Sequence, residues 1–251
     1  MQLSVLVEAA NKLMQPQLFQ DYCPNGLQVQ GRPEVQRLVT GVTASQKLLE
    51  AAIELEADAI LVHHGYFWKG EDPCLVGVKV QRLATLLKNG ISLLAYHLPL
   101  DAHQDLGNNA QLAKLLDIEV TGELFPGQSS SVGNVGYVPG NLSANEFARL
   151  LTGRLGRESQ VILGGNHPIK TIAWCTGAAQ DYIEQAALLG ADAFVSGEIS
   201  ERTVHLAQEL GVHYFAAGHH ATERYGVQAL GAHLAQQFQL RHDYIEIDNP
   251  V

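Results

Sequence analysis

"TGVTASQKLLEAAIELEADAILVHHG", residues 40 to 65, has a counterpart in "WCTGAAQDYIEQAALLGADAFVSGE", residues 174 to 198. An offset of 134 residues lays Ala191-Asp192-Ala193 on Ala57-Asp58-Ala59 and sets Gln180 on Gln46, Glu184 on Glu50, Ala186 on Ala52 and Leu189 on Leu55. One supersecondary unit is used twice. Each copy reads as a strand (38–43; 171–175), an amphipathic helix (44–56; 179–189) and a second apolar strand (58–62; 192–196), which is a βαβ unit. Upstream, "LSVLVEAANKL" matches "LSANEFARLLTGRL", so the duplication extends through most of each half.

A further helix and strand follow each copy, in "VQRLATLLKNGISLLAYHLPLDAH" and in "SERTVHLAQELGVHYFAAGHHATER". Strands alternating with helices predict an α/β fold of two similar lobes, residues 1–125 and 126–251, each a mostly parallel sheet flanked by helices. In such folds ligands collect beyond the carboxyl ends of the strands. The polar residues of this chain lie there.

With 251 residues, 46% of them apolar, the chain is long enough for two real cores. Its formal charge is -10 and no Lys/Arg cluster interrupts the acidic balance, so polymeric nucleic acid is not expected as a partner. Cys23, Cys74 and Cys175 are far apart and form no CxxC spacing, which predicts reduced thiols and a cytoplasmic protein rather than a disulfide framework or a thiolate zinc site. No apolar run approaches about 18 residues, so neither secretion nor membrane insertion is expected.

The first apolar strand ends in His63-His64-Gly65. Two adjacent imidazoles followed by a residue that lets the backbone turn sharply can present two nitrogens to neighbouring points of a cleft. In "GHHATER", His219 and Glu223 are four apart and share one face if the segment opens a helix. Asp101 follows Pro99, which predicts an extended loop, and its bland alternative is an Asx turn or a helix cap. Single histidines such as His97, His103, His205 and His213 are more often hydrogen-bonded structural residues than ligands. Three imidazoles and two carboxylates, His63, His64, His219, Asp101 and Glu223, are too many for one open ion. Two ions sharing a carboxylate would use all five and leave room for water. A nitrogen and oxygen set without thiolate suits zinc, iron, manganese or cobalt better than calcium or magnesium.

"DYCPNGLQVQG", "ADAILVHHGYFWKGE", "HLPLDAHQDLGNNAQLA", "ADAFVSGEISE" and "YFAAGHHATERYG" closely resemble the NIF-three-like family, whose members are often labelled GTP cyclohydrolase I type 2 homologues. The resemblance runs along nearly the whole chain and is weakest from Leu124 to Pro168. It implies a dinuclear metal protein of two similar α/β lobes with the metal site between them, assembled as a toroidal homohexamer. It also implies that His64 and Asp101 bind one ion, His63 and His219 the other, and that Glu223 bridges them. His97, Glu198 and His103 are then the candidates for orienting a ligand or moving a proton. The function expected is metal-dependent hydrolysis of a nucleotide-like or other small substrate. The alternative is a non-catalytic metal-binding or interaction scaffold.

Overall fold

The computed structural model describes every residue except Ser129 and divides the chain into two compact units, 1–100 with 226–248, and 101–225 with 249–251. The first unit begins with α1 (Leu3–Met14) and β1 (Gly26–Val29). It continues through β2 (Arg37–Thr43), α2 (Gln46–Glu54), β3 (Ala59–His64), α3 (Gly77–Asn89) and β4 (Ser92–Ala95) to a short helix, α4 (Leu98–Ala102). The second contains α5 (Asn108–Leu115), β5 (Glu119–Glu123), β6 (Asn134–Leu142), α6 (Ala144–Leu155), β7 (Gln160–Ile162), β8 (Ile169–Trp174), α7 (Ile183–Leu188), β9 (Ala193–Ser196), α8 (Glu201–Leu210) and β10 (His213–Ala216). Helix α9 (His219–Phe238) follows, and β11 (Arg241–Tyr244) closes the sequence of elements.

The first sheet has the order β1-β4-β3-β2-β11 and is parallel except for β1. Its central strand carries Ala59-Ile60-Leu61-Val62 with no polar alternation, as a strand covered on both faces requires, and all four residues are buried. Ser45 caps α2 by accepting a hydrogen bond from the Leu48 amide at 3.4 Å, so that helix starts two residues later than the periodicity predicts. Leu48, Leu49 and Ala52 of α2 and Leu83 and Leu86 of α3 pack on Ile60, Val62 and Leu93.

The second sheet, β5-β6-β8-β9-β10-β7, keeps a parallel centre, β8-β9-β10, with antiparallel strands on either side. The segment joining β5 to β6 is too short for the crossover that parallel pairing needs, so these two strands meet as neighbours in a meander. The predicted helix over 179–189 divides into a 3-10 turn, Gln180–Tyr182, and α7. Residues 226–248, assigned to the second lobe from the sequence, belong with the first unit because β11 pairs in parallel with β2, Arg241 opposite Arg37.

The duplication is visible in hydrogen bonds as well as in element order. Asp58 Oδ2 accepts from the Gln36 and Arg37 amides at 2.8 and 3.0 Å, and Asp192 Oδ2 accepts from Lys170 and Thr171, the same positions one repeat later, at 3.0 and 2.8 Å. Each aspartate fastens the start of one strand to the start of the next. The Ser92 and His213 amides, opening β4 and β10, bond in turn to the Asp58 and Asp192 carbonyls, both at 3.0 Å.

No helix among the described residues is long and apolar enough to cross a membrane. Replacing Asp192 by alanine removes the acceptor of two amides at once, and the expected loss of stability is about 2 kcal/mol, measured by thermal or urea unfolding. A loss below about half a kcal/mol would show that water replaces the carboxylate without cost.

Candidate metal centre

In the first unit, His63 and His64 are the last residues of β3, where strand alternation would send their rings to opposite faces. The chain leaves the sheet at Gly65, and the ring centroids lie 4.6 Å apart. Gly65 is required there: a Cβ would lie 2.2 Å from Gln28 Oε1, which accepts a hydrogen bond from the Tyr66 amide at 2.7 Å. His63 is fully buried and its Nδ1 donates to the Tyr96 carbonyl at 2.9 Å, so Nε2 is the nitrogen that could bind an ion. His64 Nδ1 lies 3.1 Å from Thr43 Oγ1. His97 follows β4, its ring centroid 5.1 Å from that of His63, and a donor atom of each of His63, His64 and His97 lies within 4.8 Å of the others.

His97 Nδ1 is 2.7 Å from Asp21 Oδ1, and its amide donates to Asn25 Oδ1, also at 2.7 Å. Asp21 also accepts from the Tyr22 and Leu98 amides and from Asn25 Nδ2. Burial pushes this carboxyl up, but the bonds from His97, Asn25 and Tyr22 more than offset it and hold Asp21 below the ordinary aspartate value. Cys23 lies beside it, and burial first and the Asp21 charge second push that thiol up to about 12, which keeps it protonated near neutral pH.

In the second unit, His219 opens α9 and Glu223 sits one turn along, 2% exposed, with Oε2 3.0 Å from His219 Nε2. Glu198, in the loop after β9, places Oε1 2.7 Å from His219 Nδ1. Burial pulls the His219 pKa down, but the carboxylates of Glu223 and Glu198 outweigh it and raise it to about 9. Gly177 lines this contact in the left-handed region (φ +73), where a Cβ would stand 2.1 Å from Glu223 Oε1. Asp101 is 7% exposed and brings a carboxylate oxygen within 4.8 Å of Glu223. Its Oδ1 accepts from Asn108 Nδ2 at 2.8 Å and Thr176 Oγ1 at 3.3 Å. Contrary to the extended loop predicted from Pro99, Asp101 lies in α4; proline fits the first turn of a helix, where the missing amide hydrogen costs nothing.

Two buried carboxylates this close are mutually unfavourable without positive charge between or beside them. Imidazole nitrogen and carboxylate oxygen are also the donors that zinc, iron, manganese and cobalt accept. These buried groupings of His, Asp and Glu can hold metal ions. The five predicted ligands fall into His63 and His64 in the first unit and Asp101, His219 and Glu223 in the second. His103 stands apart: its Nδ1 accepts from the Asp105 and Leu106 amides, and it lines a recess of about 350 Å³ with Glu123, Ser131 and Asn134. His205 pairs with Glu201 on an exposed helix face, and His213 bonds the Gly164 amide and the His167 carbonyl, which are the structural roles expected of single histidines.

A sequence model of the Duf34/NIF3 (NGG1p interacting factor 3) family matches residues 1–250. The chain belongs to the Duf34/NIF3 family. It is 57% identical over 248 residues to a Pseudomonas aeruginosa protein named "GTP cyclohydrolase 1 type 2 homolog", covering 99% of this chain and 98% of that one. A Vibrio cholerae protein of the same name is 55% identical, with 96% of each chain covered. Among solved structures, one described as "protein ybgI, unknown function" superposes over 100% of both chains with a TM-score of 0.96 and 48% identity. That of TTHA1606 from Thermus thermophilus gives 0.90 and 33%, again with 100% of both chains covered.

In this Duf34/NIF3 protein the residues that hold the donors in place carry weaker sequence signals than the donors. Asp21 and Asn25 sit in "DYCPNG", a Pro/Gly loop in which an aspartate reads as a turn former. Asn108 stands in an Asn-Asn pair at a helix start and Thr176 is a single polar residue after an apolar strand, and neither pattern by itself points to a carboxylate partner. Asp21→Ala is expected to cost about 3 kcal/mol near neutral pH, because several donors lose one buried acceptor. The folded carboxyl titrates below its unperturbed 3.8, so its contribution is complete above about pH 4 and is lost as pH falls through the folded value. Unfolding at pH 7 and pH 3 should therefore show the gap between wild type and variant narrowing in acid; a gap independent of pH would refute this account.

Proposed function

We propose that this protein is a metal-dependent hydrolase of a nucleotide-like or other small substrate. In this reading His63, His64, Asp101, His219 and Glu223 hold two divalent transition ions, drawn from zinc, iron, manganese and cobalt. The observation that carries the proposal is the position of Glu223, buried, 3.0 Å from His219 and within 4.8 Å of Asp101, with a glycine lining the contact. A carboxylate so placed could serve two ions, and Asp101, His219 and the His63-His64 pair are the other residues that would hold them. Bound in pairs, such ions supply Lewis acidity and a water acidic enough to act as a nucleophile near neutral pH.

The chain's own residues supply orientation and proton transfer. Asp21 fixes His97 with hydrogen on Nδ1, which leaves Nε2 to accept a proton. Glu198 fixes His219 from its Nδ1 side, so that Nε2 faces Glu223. The family label supports a nucleotide-like substrate by similarity, and the five ligand positions all carry the residue that the resemblance implies. The deep burial of His63 and Glu223 also suits the second reading, ions that only hold the protein together.

Metal analysis of replete protein should give about two ions per chain, and Glu223→Ala should lose at least one. His97→Ala and Glu198→Ala should keep metal and melting temperature while lowering turnover of a substrate found by screening nucleotides, cyclic amidines, peptides and phosphoesters by about 10- to 1000-fold. Unchanged rates in both variants, with stability collapsing on chelation, would select the scaffold.

A homohexamer is part of the same proposal and rests on the family resemblance. Light scattering should report about six times the chain mass of 27.2 kDa, and a monomer at micromolar concentration would contradict it.

A further inference from the structure

The loops beside the imidazole cluster of the first unit carry two aromatic side chains that the metal reading does not use. Trp68 lies just past Gly65, its ring centroid 5.0 Å from that of His97 and 6.0 Å from that of His64. Tyr22 is 61% exposed, with its ring 6.3 Å from His97 on the loop that supplies Asp21. Exposing a tyrosine and part of a tryptophan beside polar rings yields none of the burial that large aromatics ordinarily provide.

The two loops that carry these rings are tied to each other and to β1. The Lys69 amide donates to the Tyr22 carbonyl at 2.6 Å, tying one loop to the other. Gln28 accepts from the Tyr66 amide and donates to the Tyr66 and Pro24 carbonyls, clamping both from beneath. The buried Tyr66 hydroxyl donates to the Ala44 carbonyl at 2.8 Å. Between Tyr66 and Trp68 the backbone passes through Phe67 at φ +66, a conformation costly for a bulky residue and tolerated where the surroundings impose it. The indole Nε1 donates to the Gly65 carbonyl at 3.2 Å, so Trp68 has no donor left for a ligand and can offer only its ring surface.

We propose that Tyr22 and Trp68 form a stacking ledge that binds the flat face of a planar heteroaromatic ligand, such as a nucleobase, beside His64 and His97. This names the substrate class of the site described above and rests on the reading of that site as one for a small molecule. Stacking needs an aromatic face and no particular hydrogen-bond pattern, whereas a saturated sugar or an aliphatic chain gains little from it. The nitrogens of such a ring, lying over the ledge, would point towards the imidazole cluster.

The two tryptophans make the test direct, since Trp174 is fully buried with its Nε1 bonded to the Asn109 carbonyl, so Trp68 alone reports on the ledge. Zinc-loaded protein, its metal content measured, is titrated with guanosine, adenosine and ribose while fluorescence and binding heat are followed. The nucleosides should quench saturably and ribose should not. Tyr22→Ala and Trp68→Leu should weaken nucleoside binding by calorimetry about 10- to 100-fold with metal content unchanged. Because Tyr22 is exposed, its replacement keeps the test valid even if the Trp68 variant does not fold. Nucleoside binding with no hydrolysis of any substrate in the screen would leave the ledge standing and sink the hydrolase. Hydrolysis of a non-aromatic substrate with no nucleoside binding would do the reverse. Equal binding by both variants, or fluorescence that changes with protein dilution and not with nucleoside, would overturn the proposal, the latter by assigning the ledge to a contact between copies.

Discussion

A carboxylate withdrawn from water must be compensated, and in the second unit two of them, Asp101 and Glu223, are withdrawn side by side. Protein donors answer part of this demand: Asn108 and Thr176 bond Asp101, and the His219 imidazole faces Glu223. Beside these groups the chain leaves two positions without a side chain, Gly177, where a Cβ would displace the Glu223 carboxylate, and Gly197, where one would meet the backbone of His219. A buried thiol close by, Cys175, is driven well above its ordinary pKa by burial and then by the charges of Asp101 and Glu223. Such a pocket favours whatever brings positive charge to it.

The imidazoles answer to a different constraint, direction. His63, His64 and His97 each have Nδ1 against an oxygen, from Tyr96, Thr43 and Asp21 respectively, so each has its ring set by a neighbour and not by solvent. Those neighbours lie on β2, on the loop before β1 and next to His97 after β4. The carboxyl ends of β2 and β4, on either side of β3, therefore aim His64 and His63, as expected where ligands gather at the carboxyl edge of a sheet, while the loop before β1 aims His97. His219 is held in the same way by Glu198, which occupies in the second repeat the position of His64 in the first. The duplicated scaffold thus places a polar side chain at one point twice, and each copy has taken a different chemistry there.

The repeat was legible because its marks are local: apolar runs, helical periodicity, and an aspartate at equal spacing that needs two backbone amides within reach. The donor residues were legible for a similar reason, since a histidine pair before glycine and a histidine four residues ahead of a glutamate on one helix are patterns within a few residues. What escaped were relations between distant segments. Asp21 meets His97 76 residues later in the chain, Thr176 meets Asp101 across 75, and β11 returns to β2 over about 200; no window of sequence contains both partners. Pro99 misled for the opposite reason, because its local preference for an extended predecessor is weaker than its fitness for a first helical turn. By itself, then, the sequence determined the duplicated α/β units and the clustering of histidine and carboxylate residues at their strand and helix ends, because periodicity and short spacing encode both. Only the tertiary structure decided which oxygen aims each imidazole and which carboxylates share a buried pocket, because those depend on which strand ends the folded chain brings side by side.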